Sequence, residues 1–355
     1  ENEVFIPLRF APGQALQIDW GEATVKLAGE KVKVNLFCAR MSYSCAPYVI
    51  AYRRQNLESF LDAIIHTLNY FGGVPRSMIF DNARVAVKSG FGAHAAAQDD
   101  YSKLAAHYGF QPVFCNPASG NEKGLVENLV GYIRRNVCVP LPQVDSLEDL
   151  NTKLLEQCAK YMNHKIDGRS QKVGQMLAED QAHLHPLPKY VLDISKKAYP
   201  KVNRYSTVLF DTNYYSVPCK YRGKGTTVKA YPNRVEIWIN GLLVATHDRC
   251  MGRKQESLDL RHYLPILERK GRAIRYARPV LNAVPAEFLN WMEKQHLNSK
   301  QMVELLEQCL TDGYLAVMQR DLPNPDTSIA KNDVPVLSVD LSQYDKLYER
   351  KGAAS

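Results

Sequence analysis

The stretch Ala15-Leu-Gln-Ile-Asp-Trp20 decides the reading of this chain. Leu16, Ile18 and Trp20 alternate with Gln17 and Asp19, the two-residue period of a half-buried strand. One face is therefore apolar and the other carries a carboxylate, and Trp20 is expected to point into the core. Outward from here, Val32, Val34 and Leu36 alternate with Lys31, Lys33 and Asn35, and residues Ala46 to Tyr52 are rich in β-formers. Three successive strands with short connections predict an antiparallel meander.

Asn56 is the expected N-cap of a helix in which Leu57, Phe60, Leu61, Ile64, Ile65 and Leu68 recur at helical spacing, with Gly72-Gly73 as its stop. A strand then runs Ser77-Met-Ile-Phe-Asp81. Gly90 to Ala97, poor in bulk, reads as a mobile loop, Asp99 to Tyr108 as a short helix, and Gln111 to Cys115 as a strand emptying into Asn116-Pro-Ala-Ser-Gly-Asn121. A longer helix reaches about Val137. Ser146 caps another, with Leu147, Leu150, Leu154, Leu155 and Cys158 expected on one face. The order β-β-β-α-β-α-β-α-α predicts a mixed sheet flanked by helices over residues 1–165. Residues 166–200 read as a linker with one short helix. Residues 201–254, with Thr226-Thr-Val-Lys-Ala-Tyr231, Val235-Glu-Ile-Trp-Ile239 and the hairpin signal Asn240-Gly241, predict a small all-β barrel of about five strands. Residues 255–320 become helical, and residues 321–355 read as an extended or disordered tail.

A chain of 355 residues has room for two or three domains, and 45% apolar content is ordinary for a globular protein. No run approaches the ~20 apolar residues that span a bilayer. The opening Glu1-Asn2-Glu3 has no methionine and no signal-peptide pattern, so a fragment lacking an amino-terminal domain is expected. The eight cysteines form no C-x-x-C pair, which argues against structural zinc and for reduced thiols in a cytoplasmic setting. Charge is uneven. Between Lys201 and Val280 sixteen Lys and Arg face six Asp and Glu, a balance of +10 in a chain whose total is +8. That asymmetry suggests a polyanion-binding segment beside a near-neutral core.

Three motifs, Gln17-Ile-Asp-Trp-Gly-Glu22, Ile79-Phe-Asp-Asn-Ala-Arg84 and Lys123-Gly-Leu-Val-Glu-Asn128, occur in order on an expected strand, strand and helix. Together they resemble the catalytic core of DDE transposases and retroviral integrases, and more closely the IstA-type transposases of bacterial insertion sequences. The later β segment resembles the carboxy-terminal barrel of Mu-type transposases, and the ending Leu341-Ser-Gln-Tyr-Asp-Lys-Leu347 is similar to the IstA tail. The resemblance covers roughly residues 5 to 260. It implies an α/β RNase H-like core followed by the small β-barrel, and the helical carboxy-terminal region after them rests on the residue pattern.

Carried over by position, Asp19, Asp81 and Glu127 are the three catalytic acids. Forty-five residues lie between Asp81 and Glu127, and Glu122 stands outside the Gly-x-x-Glu pattern. Glu22 is expected to be a structural or surface acid. Carboxylates ~4 Å apart repel by about 4 kcal/mol per pair at an effective dielectric of ~20. A site gathering three of them calls for hard divalent cations. Two Mg2+ (or Mn2+) ions per site, held by Asp19, Asp81 and Glu127, would activate a water or 3′-hydroxyl and neutralise the leaving oxygen. The resemblance implies cleavage at the 3′ ends of a mobile element, then direct attack of those ends on target DNA without a covalent protein intermediate. The alternatives are an RNase H-like nuclease without strand transfer, or a catalytically silent DNA-binding protein on the same fold.

Candidate DNA contacts are Lys123, Arg134 and Arg135 after the third motif, and Lys220, Arg222, Lys224 and Lys229 in the expected barrel. Asn82 and Arg84 sit beside Asp81 and are candidates to orient it or DNA. The resemblance also implies element ends and target DNA as partners, self-association into a dimer or higher multimer, an AAA+ ATPase helper, and a bacterial, nucleoid-associated location.

Overall fold

The computed structural model describes residues 9–80, 87–89, 96–114 and 129–320. The chain divides into two compact units, Glu1–His262 and Tyr263–Ser355.

In the first unit, β1 (Ala15–Leu27), β2 (Glu30–Met41) and β3 (Pro47–Tyr52) form the expected antiparallel meander. After α1 (Leu57–Phe71), β4 (Ser77–Phe80) lies parallel to β1, with Ile18 opposite Phe80. Of the stretch Gly90 to Ala97 read as a loop, only Ala96 and Ala97 are among the described residues. Val87–Ser89 (β5) and Ala96–Ala97 (β6) pair as a short antiparallel ribbon. α2 (Asp99–Tyr108) leads into β7 (Gln111–Phe114), parallel to β4. A helix over residues 129–136 (α3), the short β8 (Gln143–Val144) beside the end of β1, and α4 (Leu147–Tyr161) complete a sheet ordered β3-β2-β1-β4-β7.

Local chemistry sets these elements. Asn56 Oδ1 accepts from the Ser59 amide at 2.9 Å, and Gly72 closes α1 in a left-handed conformation at φ 77°. Ser146 and Asp149 form a capping box at the start of α4. Leu147, Leu150, Leu154 and Cys158 are buried, while Leu155 lies off that face and is exposed. Asn151 Oδ1 accepts from the Ala51 amide at 2.7 Å and so occupies part of the β3 edge.

Strand parity sorts the core into two layers. Leu16, Ile18, Phe37, Tyr52, Phe60, Phe80 and Tyr101 pack on one side, with Trp20 edge-on to Phe37 at 5.4 Å as expected of a core residue. Ala23, Val25, Leu36, Cys38, Leu129, Val130 and Ile133 pack on the other.

Residues 166–200, expected as a linker, are docked instead. α5 (Val173–His183) carries Asp180, whose carboxylate accepts from the Gly13 amide at 2.7 Å and the Ser44 amide at 3.0 Å. A methyl group at Gly13 would lie 2.6 Å from the His183 carbonyl oxygen, so the glycine permits that approach. Ile194 and Leu192 pack on the core, and Lys196–Ala198 (β9) joins the following β segment.

The expected five-strand barrel resolves into two sheets around one core of Val208, Tyr215, Val228, Val235 and Ile237. One sheet contains β10 (Thr207–Phe210), β11 (Asn213–Ser216) and β15 (Glu256–Ser257). The other orders β14 (Leu242–Asp248), β13 (Arg234–Ile239), β12 (Thr227–Ala230) and β9. The Asn240-Gly241 turn joins Ile239 to Leu242 with both central residues at positive φ, 50° and 77°. The β segment is clamped to the core by Arg249. Its side chain is 3% exposed, and it meets Glu58 Oε1 at 3.3 Å at the start of α1 and donates to the Tyr231 carbonyl at 3.0 Å.

The second unit contains α6 (Leu264–Arg269), α7 (Arg278–Ala283), α8 (Ala286–Lys294), α9 (Ser299–Asp312) and α10 (Tyr314–Met318). Asn298 caps α9 through a capping box with Gln301. The tail expected over 321–355 lies outside the described residues. Among the described residues no helix is long and apolar enough to cross a membrane.

Candidate active site

Asp19 sits in the middle of β1, the central strand, opposite Cys38 of β2. Alternation places it on the side of the sheet covered by α3, opposite the side that receives Trp20. It is half-buried. The Cys38 thiol is pushed well above its ordinary value, first by burial and then by the negative charge of Asp19 beside it.

Two residues along the same face, Gly21 meets α3 directly. A methyl group there would lie 2.6 Å from Val130 Cγ1, so only the bare backbone lets the helix sit this close to β1. Arg134, one turn further along α3, donates from Nε to the Glu22 carbonyl at 2.9 Å. These two contacts fix α3 against β1 beside Asp19. Gly21 was not singled out from the sequence. A glycine inside an otherwise apolar strand was the available signal.

Asp81, Glu127 and Lys123 lie outside the described residues, as do Asn82, Arg84 and Glu122. Glu22 is an exposed acid paired with Lys33 at 2.6 Å, as expected of a surface residue. Arg135 is exposed and folds its guanidinium toward Gly131. Lys220, Arg222 and Lys224 are exposed. Lys229 is held differently from a free phosphate ligand: its ammonium contacts Asp193 at 3.0 Å and lies over the Trp238 ring. Lys197 contacts the same carboxylate at 3.2 Å. Partial burial opposes ionisation of Asp193, but hydrogen bonds from Ser195, Lys229 and Lys197 outweigh it and hold the carboxyl well below the usual range.

With this geometry in view, comparison with known proteins identifies the class. Residues 187–259, which contain both sheets of the β segment, match the family model of the Mu transposase, C-terminal domain. A transposase of Aminobacter aminovorans is 33% identical over 327 residues, covering 88% of this chain and 63% of the relative. The transposase for insertion sequences IS1326/IS1353 of Pseudomonas aeruginosa is 32% identical, covering 88% of this chain and 64% of the relative. The transposase for insertion sequence element IS21 of Pseudomonas aeruginosa is 30% identical, covering 72% and 66%. The chain is thus a homologue of the IS21-type insertion-sequence transposases along most of its length, and it spans a little under two thirds of theirs.

Solved structures with some likeness include a chain of the simian T-cell lymphotropic virus intasome in complex with PP2A regulatory subunit B56 gamma. It has 14% identity and a TM-score of 0.37, covering 70% of this chain and 83% of that one. The HTLV-2 integrase catalytic core domain in complex with magnesium has 16% identity and a TM-score of 0.35, covering 47% and 97%.

Proposed function

We propose that this chain is the RNase H-like catalytic core and carboxy-terminal part of a DNA transposase. In this reading it cleaves the 3′ ends of a mobile element and joins them to target DNA, with Asp19, Asp81 and Glu127 as the catalytic acids. The observation that carries the reading is the meeting of three elements at Asp19. β4, the strand that precedes Asp81 in sequence, ends with Phe80 opposite Ile18, the neighbour of Asp19. α3, which follows Glu127 in sequence, brings Val130 against Gly21, two residues from Asp19 along the same face. The order β3-β2-β1-β4-β7, antiparallel then parallel, is the arrangement expected of an RNase H-like sheet.

Asp19, the one of the three acids among the described residues, suits a divalent metal: a carboxylate oxygen is a hard donor, and its face of β1 is relieved of bulk by Gly21 and Ala23. Two Mg2+ ions held by the three acids would lower the pKa of the attacking water or 3′-hydroxyl and stabilise the leaving oxygen. Asp19 contributes a carboxylate on a strand held to β2 at Cys38 and to β4 as far as Ile18, and α3 is seated by Gly21 and by the Arg134 bond to Glu22. Lys220, Arg222 and Lys224 are assigned to the DNA backbone. Lys229 is assigned to the Asp193 cluster instead. Self-association and an AAA+ ATPase helper are further expectations of the family resemblance.

The test is an assay of end-mimicking oligonucleotides with Mg2+ or Mn2+. Asp19→Asn, Asp81→Asn and Glu127→Gln are each expected to lower cleavage and joining at least ~10³-fold, with DNA binding largely kept. Joining retained by any one of them would remove that residue from the site. Cleavage without joining by the parent chain would favour the nuclease alternative.

A further inference from the structure

We infer that the edge of the β segment formed by residues 199–206 and 218–225 is a binding surface for single-stranded DNA, with Tyr205 as the base-stacking platform. This rests on the DNA-acting function proposed above and extends it to residues that the motifs do not touch.

Backbone hydrogen bonds join the two segments into one edge. The Val202 amide donates to the Lys224 carbonyl, the Gly223 amide to the Val202 carbonyl, both at 2.9 Å, and the Thr226 amide to the Pro200 carbonyl at 3.0 Å. Lys201, Arg204, Lys220, Arg222 and Lys224 project from it and are exposed, and neither segment contains an acidic residue. Among the described residues none of these five cations makes an ion pair. Elsewhere in the same β segment Lys197 and Lys229 share Asp193, Arg234 pairs with Glu236, and Arg249 pairs with Glu58. Charge is neutralised at those four positions and left open on this edge.

The aromatic component is rigidly presented. Asn203 Oδ1 accepts from the amides of Tyr205 at 2.9 Å and Thr207 at 3.1 Å, and its Nδ2 donates to Thr207 Oγ1 at 2.8 Å. This turn holds Tyr205 64% exposed beside Arg204, whose guanidinium lies 5.2 Å from the ring centroid. Phosphates need only the cations. An exposed ring among them adds a surface on which an unpaired base can stack, whereas bases within a duplex are already stacked. The combination therefore favours a single strand over a duplex.

The experiment measures fluorescence anisotropy of the 355-residue chain with a labelled single-stranded oligonucleotide and with its duplex, across a range of NaCl. Tyr205→Ala is expected to weaken single-strand binding about tenfold and duplex binding little, with Tyr205→Phe close to the parent. Replacing Lys201, Arg204, Arg222 and Lys224 together by Ala is expected to flatten the slope of log K against log[NaCl] for the single strand by ~3, at ~0.7 per phosphate contact. All variants should melt with the parent, since these side chains are exposed. Unchanged single-strand binding by Tyr205→Ala, equal losses on both DNA forms, or an unaltered salt slope would overturn the inference. Asp19→Asn run in parallel separates the two readings. Joining that depends on Asp19, beside a patch whose variants bind normally, refutes only the patch. A parent chain that binds neither DNA form refutes the DNA-acting function as well.

Discussion

The two faces of β1 are built from opposite materials. Leu16, Ile18 and Trp20 enter a layer in which Phe60 contacts Phe37, Phe80 and Tyr101 with ring centroids 6.2, 5.6 and 5.3 Å apart. Asp19, Gly21 and Ala23 present a charge and two small residues to α3. Bulk on the first face stabilises the sheet. Lack of bulk on the second lets α3 lie close against β1 beside Asp19.

The comparison breaks first at Phe60. Phe60→Ala should cost about 3–5 kcal/mol in denaturant unfolding, because the ring is fully buried and its neighbours cannot collapse into the space. Asp19→Asn should stay within about 1 kcal/mol of the parent while losing activity. A large stability loss in Asp19→Asn would mean that the two faces are not specialised as described.

Gly21→Ala sharpens the contrast. The added methyl must displace Val130, which should cost about 1–3 kcal/mol by urea titration. Because the displacement is carried to α3 beside Asp19, joining should fall further than stability alone would demand, by up to ~10²-fold at a temperature where the variant is folded. Equal activity in Gly21→Ala and the parent would show that α3 has no part in the site.

A smaller effect, outside both faces, comes from two buried histidines in the β segment. His247 Nε2 meets the Ser216 carbonyl at 2.6 Å and His262 Nδ1 meets Ser216 Oγ at 2.8 Å. Burial lowers the pKa of both, that of His262 to about 4. The folded chain therefore binds these protons less readily than the unfolded chain, whose histidines titrate near 6.5. Their contribution is complete above pH ~6.5 and is lost as pH falls toward 4. Between pH 7 and 5.5 the loss attributable to His262 should be about 1 kcal/mol, seen as a lower melting temperature that His262→Gln largely removes.

Much of this architecture could be read from residue patterns. Alternation gave the meander, Asn56 and Ser146 gave helix starts, and Asn240-Gly241 gave the hairpin. What escaped was long-range and polar. Asp180 reaches Gly13 across 167 positions, and Arg249 reaches Glu58 across 191, so neither contact has a local pattern. That is why residues 166–200 read as a linker although they are docked. Lys229 looked like a phosphate ligand because Asp193, its partner, lies 36 positions away. β5 and β6 escaped for another reason: a ribbon of Val87–Ser89 with Ala96–Ala97 is too short to show a period. At the site, Asp19 was legible from its strand, but Gly21 gained its meaning only when Val130 was found against it.

The most direct test of the central claim is anomalous diffraction from crystals of the chain grown with Mn2+ and an end-mimicking DNA. The account predicts two manganese positions ~3.5–4 Å apart with a carboxylate oxygen of Asp19 bound to both and Asp81 and Glu127 completing their shells. Ordered DNA with manganese bound away from Asp19, or with the carboxylates of residues 81 and 127 out of reach of any ion held by Asp19, would contradict it.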